Sequence, residues 1–138
     1  METSSALVTK LEPLAARWGI RLILQFGSTV TGVVHPRSDV DIALLFREDD
    51  VSLETLSQID VGLQELFPGQ ELDLAIMNRA DPLFLKRIME QCRLLYGSIR
   101  DLHELRIYAF KRYQDHRRFL DLEGRYAKRT LARLAAGS

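Results

Sequence analysis

Residues 21–46 read RLILQFGSTVTGVVHPRSDVDIALLF, and this stretch decides the fold. Its first six residues form a short, nearly continuous apolar run, which is typical of a buried strand. Gly27-Ser28 ends that run abruptly, and the apolar pattern resumes over residues 39–46 as a second strand. The ten residues between them, 29–38, are predicted to form a short helix or turn and then a loop.

The segments before and after these two strands show apolar side chains at helical spacing. It predicts a helix over residues 5–18, ended by Gly19, and a second helix over about 52–67, closed by Pro68-Gly69. Residues 70–77 then follow as a third strand.

The last third of the chain is predicted to be largely helical. Asp81-Pro82 has the composition of a helix start. The apolar face of that helix is predicted to carry Leu85, Ile88, Met89 and Cys92, with packing as the role of Cys92. Residues 93–97 are a candidate closing strand, and residues 99–134 read as one long or broken helix. The predicted class is therefore a small α/β or α+β domain, with helices packed on a mixed sheet.

Composition restricts the class of protein. A chain of 138 residues with 46% hydrophobic and 28% charged residues is typical of one globular domain. Its single cysteine excludes an internal disulfide and a multi-cysteine zinc site. No long uncharged apolar run suggests a signal peptide or a membrane span, so we expect a soluble, cytoplasmic protein with no membrane partner.

The zero net charge hides an asymmetry. Residues 1–99 hold 9 Lys and Arg against 14 Asp and Glu, whereas residues 100–138 hold 10 against 5. We accordingly divide the chain into a domain over 1–98 and a helical, partner-binding tail over 99–138. Direct nucleic-acid binding is not expected, because the positive excess lies outside the folded domain.

Carboxylates at the strand ends suggest a metal site. Asp39 and Asp41 are two residues apart in a strand, so both point to one face while Val40 and Ile42 point into the core. Asp73 repeats the pattern in the next predicted strand. Carboxylate oxygens suit Mg²⁺, and three of them on one sheet face can hold two ions.

The turn after the first strand is a candidate phosphate site. A strand that runs into Gly27-Ser28 and a short helix presents backbone N–H groups to an anion, and the Ser28 hydroxyl adds a donor. Gly32 keeps the following turn clear of a triphosphate, and the loop also holds Arg37 and Ser38. His35 is a weaker candidate in the same loop.

Alone, a Gly-Ser turn or an Asp-x-Asp pair is more often structural, but their combination resembles a known family. Gly27-Ser28, ten residues, Asp39 and Asp41 match the Gly-Ser-x10-Asp-x-Asp signature of minimal nucleotidyltransferases in the DNA polymerase beta superfamily. The resemblance covers about residues 5–97. It implies transfer of a nucleoside monophosphate, usually from ATP, to a hydroxyl. It also implies metal binding by the two aspartates, completion of the site by Asp73, and a triphosphate held by Gly27 and Ser28.

Two positions in this chain differ from the family pattern. Many relatives carry arginines where this chain has Thr29 and Thr31, which weakens the expected phosphate contacts, and Arg37 is the nearby cation that could compensate. The small size and terminal helix resemble the antitoxin half of HEPN/MNT toxin–antitoxin pairs. That resemblance implies addition of AMP to a tyrosine of a HEPN ribonuclease partner, in a stable hetero-oligomer.

Two alternatives to protein AMPylation stay open. One is the same chemistry on a small acceptor such as an aminoglycoside, although such enzymes usually carry an extra helical domain. The other is a non-catalytic antitoxin that masks its partner sterically and retains only a vestigial site.

Overall fold

A computed structural model describes residues 5–27, 30 and 39–137 of the chain. The element order confirms the predicted alternation of helices and strands. The elements are α1 (Ser5–Trp18), β1 (Ile20–Phe26), β2 (Val40–Phe46), α2 (Leu53–Leu66), β3 (Leu72–Ile76), α3 (Pro82–Glu90), β4 (Cys92–Tyr96) and α4 (Ile99–Ala136).

The four strands form one mixed sheet in the order β3-β2-β1-β4. β1 is antiparallel to both β2 and β4, whereas β2 and β3 are parallel. The two central strands are the most apolar ones, because helices cover them on both faces. The expected mixed sheet with packed helices is thus confirmed.

Alternation along β2 separates two hydrophobic layers. Val40, Ile42 and Leu44 face α1 and α2, while Ala43 faces α3 and α4. The first layer consists of Leu11, Ala15, Ile20, Ile23, Val40, Ile42, Leu44, Phe46, Ile59, Leu63 and Leu95. The second consists of Leu22, Leu24, Ala43, Met77, Leu85, Ile88, Leu102, Leu105 and Ala109.

The start of α3 follows the prediction, but its end does not. The Asp81 carboxylate accepts a hydrogen bond from the Leu83 N–H at 2.8 Å, and Pro82 occupies the first turn. The helix ends at Glu90, so the prediction that Cys92 lies on its apolar face was wrong. Cys92 instead begins β4, where it pairs with Phe26 of β1 and packs against the second hydrophobic layer. Helical and strand spacing both fit the short apolar run there, and only strand pairing distinguishes them.

α4 is a single unbroken helix of 38 residues, long enough to extend beyond the sheet. Leu102, Leu105 and Ala109 are buried against the domain. From residue 117 to 137 every side chain is exposed except Thr130, which is half-buried. Within the described residues, no helix is both long enough and apolar enough to span a bilayer.

Candidate active site

The parallel register of β2 and β3 brings two of the predicted carboxylates together. Asp41 is the direct partner of Asp73 in the ladder, so both side chains lie on one face of the sheet, at neighbouring strand positions. Asp39 lies immediately before β2 and is exposed, while Asp41 is half-buried. Val40 and Ile42 are buried between them in the opposite layer, as the alternation predicted.

The surroundings of Asp41 favour the neutral, protonated form of its carboxyl group. Burial raises the pKa of the Asp41 carboxyl above its usual range, and the negative charges of Asp73 and Asp39 raise that pKa further. The charged form of Asp41 therefore costs free energy in the metal-free fold. A cation placed among the three carboxylates would remove that cost.

Gly27 leaves the space that the Asp41 carboxylate occupies. Its φ is +82°, and a Cβ atom at this position would lie 2.5 Å from Asp41 Oδ2. Any other residue would be strained and would displace the carboxylate. The Gly27 N–H donates to the Gln91 carbonyl at 3.3 Å, so this N–H is not free to bind an anion as the sequence suggested. Gly27 contributes room for the site rather than a hydrogen-bond donor.

A cavity of about 600 Å³ opens beside these residues, between the strand ends and α3. Phe26, Gly27 and Asp41 line its sheet side. Phe84, Arg87, Glu90 and Gln91 line its helix side. The rings of Phe26 and Phe84 meet edge to face at a centroid distance of 6.0 Å, which fixes one wall.

Sequence reasoning missed the α3 wall of this cavity. The order of the elements could have indicated it. β3 starts at the end of the sheet that carries Asp41 and Asp73, and β4 starts at the same end, beside the last residue of β1. The helix between them therefore returns to that end, and its last turn faces the site. Spacing of apolar residues within α3 reports only the buried face, which carries Leu85 and Ile88.

The predicted ligands of a divalent cation are three carboxylates. Asp39, Asp41 and Asp73 would hold Mg²⁺, which when bound stabilises phosphate charge and activates an attacking oxygen. Within the described residues, no group of three or more His, Cys, Asp or Glu side chains is placed so that it could hold a metal ion. Metal binding by the three aspartates therefore stays a prediction.

The predicted phosphate-binding residues of the loop are not among the residues that the structure describes. Ser28, Gly32, Arg37 and Ser38 fall outside the described residues, as does His35. Their assignment to the nucleotide stays a prediction.

Comparison with known families identifies the fold. The family model for polymerase beta nucleotidyltransferases matches residues 10–101, which include β1, β2, β3 and the cavity. The chain belongs to the polymerase beta nucleotidyltransferase family. No curated protein matches the chain.

Solved structures share this fold at low sequence identity. A chain in a toxin–antitoxin crystal structure with AMP-PNP is similar, with a TM-score of 0.68 and 22% identity over 90% of this chain and 97% of that one. A chain in the complex of a tri-AMPylated Shewanella oneidensis HEPN toxin with its MNT antitoxin has a TM-score of 0.63 and 19% identity, covering 92% and 97%. A minimal nucleotidyltransferase structure has a TM-score of 0.53 and 21% identity, covering 67% and 95%.

The raised pKa of Asp41 predicts how stability responds to a substitution. Because the folded state binds this proton more tightly than the unfolded chain, ionisation of Asp41 removes stability as pH rises. Asp41→Asn should therefore be more stable than the unmodified protein at pH 7 in EDTA. The gain should shrink as pH falls and vanish near the pKa of an unfolded aspartate, about 4.

Urea denaturation of both proteins from pH 4 to pH 8 measures this difference. Equal stability at pH 7 would show that the folded chain already compensates the Asp41 charge.

Proposed function

We propose that this chain is an antitoxin nucleotidyltransferase that transfers AMP from ATP to a tyrosine hydroxyl of a HEPN ribonuclease toxin. The observation that carries the proposal is the placement of Asp41 opposite Asp73, with Asp39 two residues before it, where Asp41 and Gly27 line a cavity. Support comes from two of the matched solved chains, which belong to toxin–antitoxin structures, one with AMP-PNP and one with a tri-AMPylated toxin.

The proposed reaction is a substitution at the α-phosphorus of ATP. The acceptor oxygen forms a bond to that phosphorus, and the bond to the oxygen bridging the α- and β-phosphates breaks. Pyrophosphate leaves with the electron pair of that bond. The Asp73 carboxylate accepts the hydroxyl proton, directly or through water, and Asp39 and Asp41 would hold the cations, which would offset the phosphate charge.

Steric masking is the second candidate function. The exposed C-terminal part of α4, residues 117–136, favours it, and we call this segment the free half of α4. Phe119, Leu122 and Tyr126 are 56%, 63% and 73% exposed, which offers a docking surface that needs no chemistry. Catalysis requires the carboxylates of Asp39 and Asp41, whereas masking does not.

The first prediction concerns transfer itself. The protein, its genomic neighbour's product and Mg²⁺-ATP should give a partner whose intact mass rises by whole AMP increments. Asp39→Asn with Asp41→Asn should abolish the increments, because the cations lose two of their ligands. Glu48→Gln with Asp50→Asn is the matched control, since it removes two exposed carboxylates just beyond the other end of β2.

Intact-mass spectrometry separates the two candidate functions. Increments in the control but not in the aspartate variant would support catalysis. A partner that stays unmodified with every nucleotide, yet is fully neutralised by the aspartate variant, would leave masking as the function.

A second prediction concerns Gly27. Gly27→Ala should lower the rate of AMP transfer by about two orders of magnitude or more, because the new Cβ displaces the Asp41 carboxylate. Gly69→Ala is a matched control: its φ of +76° imposes similar backbone strain, but nothing lies within 4 Å of the added Cβ. Initial rates should fall in the first variant and stay near the unmodified value in the second. Equal losses would assign the effect to backbone strain.

The free half of α4 is the proposed docking surface for the partner. Residues 117–137 carry 6 Lys and Arg against 2 Asp and Glu, so the complementary surface on the partner is acidic. Phe119, Leu122 and Tyr126 follow a three- and four-residue spacing and therefore share one helix face. An apolar stripe on a basic helix fits an amphipathic helix of the partner with an acidic rim.

A third prediction tests this docking surface. Replacing Phe119, Leu122 and Tyr126 with alanine should weaken partner binding by about 100-fold or more, since buried aromatic anchors dominate such interfaces. Thermal stability of the domain should be unchanged, because these side chains are exposed. Leu53→Ala with Val61→Ala removes comparable exposed apolar surface from α2 and serves as the control. Calorimetric titration with the partner gives the two affinities, and unchanged binding by the triple variant would exclude this surface.

A further inference from the structure

We infer that Arg87 binds the phosphate chain of the nucleotide from the α3 side of the cavity and sets the affinity of the site for a nucleoside triphosphate. This inference rests on the proposed function, since it takes the cavity beside Asp41 as the nucleotide site. It concerns a residue that lies far in sequence from the Gly-Ser turn and from the three aspartates.

The position of Arg87 in α3 places it at the end of the sheet that carries Asp41. It belongs to the last turn of α3, and that turn lies against the end of β1 through the hydrogen bond from the Gly27 N–H to the Gln91 carbonyl. Arg87 shares the cavity wall with Phe84, and Asp41 lines the opposite side. Among the described residues that line the cavity, Arg87 is the single cation.

The two adjacent cations of α3 differ in their contacts. Lys86 is ion-paired with Glu90 and lies over the ring of Tyr113, so its charge is already engaged. Arg87 is exposed and has no hydrogen-bond or ion-pair partner within the described part of the chain. An arginine that lines a cavity without a fixed partner is available for an incoming anion.

Charge explains why such a cation is needed. A triphosphate that enters the cavity meets the carboxylates of Asp41 and Glu90. Its repulsion from them must be offset by cations. The planar guanidinium donates two parallel N–H groups to phosphate oxygens, a geometry that lysine does not offer. Thr29 and Thr31, which follow β1 in the sequence, supply no charge, and among the described residues that line the cavity the compensating cation is Arg87.

The competing interpretation is a purely structural role. An arginine in the last turn of a helix interacts favourably with the helix dipole, which contributes modestly to stability at an exposed site. Lysine satisfies that role equally well. A structural role therefore predicts a change in stability and no difference between arginine and lysine in nucleotide affinity.

The experiment is calorimetric titration of the full chain with AMP-PNP and Mg²⁺. Arg87→Ala should weaken binding about 10- to 100-fold, as expected for loss of charge-assisted hydrogen bonds. Arg87→Lys should recover only part of that loss. Arg79→Ala is the matched control, because it removes the same charge from the turn at the opposite end of β3 and should leave the affinity unchanged. Thermal unfolding of each variant reports any structural effect separately.

Two results would overturn the inference while leaving the proposed function intact. One is an Arg87→Ala variant that binds AMP-PNP with unchanged affinity. The other is an equal loss in Arg87→Ala and Arg79→Ala, which would indicate a general charge effect. An unmodified protein that binds no AMP-PNP would contradict the proposed function itself, and the role of Arg87 with it.

Discussion

The parallel pairing of β2 with β3 is the constraint on which the candidate site depends. It sets Asp41 opposite Asp73, and a slip of one residue would turn one of the two carboxylates into the opposite hydrophobic layer. That register is held from both ends. Val40 donates to the Glu71 carbonyl at 2.8 Å, and Met77 donates to the Leu44 carbonyl at 2.8 Å. The same strand register therefore determines both the packing of the core and the placement of the carboxylates.

A fold that gathers carboxylates at one edge is less stable there than it would otherwise be. The raised pKa of the Asp41 carboxyl expresses this cost. The same carboxylate restricts position 27 to glycine, because a Cβ atom there would lie 2.5 Å from Asp41 Oδ2. Such local concessions at the edge of a well-packed sheet are typical of functional sites.

Much of this architecture could be predicted from local pattern, and the misses share one cause. Apolar runs and helical spacing placed β1, β2 and α2, since each follows from burial of its own residues. The contact between Asp41 and Asp73 was anticipated only as a shared sheet face, because register depends on tertiary packing. Arg87 and Phe84 escaped notice because exposed helix residues carry no periodic signal. Cys92 was misplaced because a short apolar run fits a helix and a strand alike.

The length of α4 has a consequence for the lifetime of the protein. The last twenty residues of this helix, 117–136, extend past the domain, and a helix segment without tertiary packing opens at little cost in free energy. Opened segments are the substrates of proteases, so the tail would be cleaved first in a chain that stands alone. A partner that covers the segment protects it. Survival of the chain in a cell would then report how much partner is present, with no sensor beyond the helix itself.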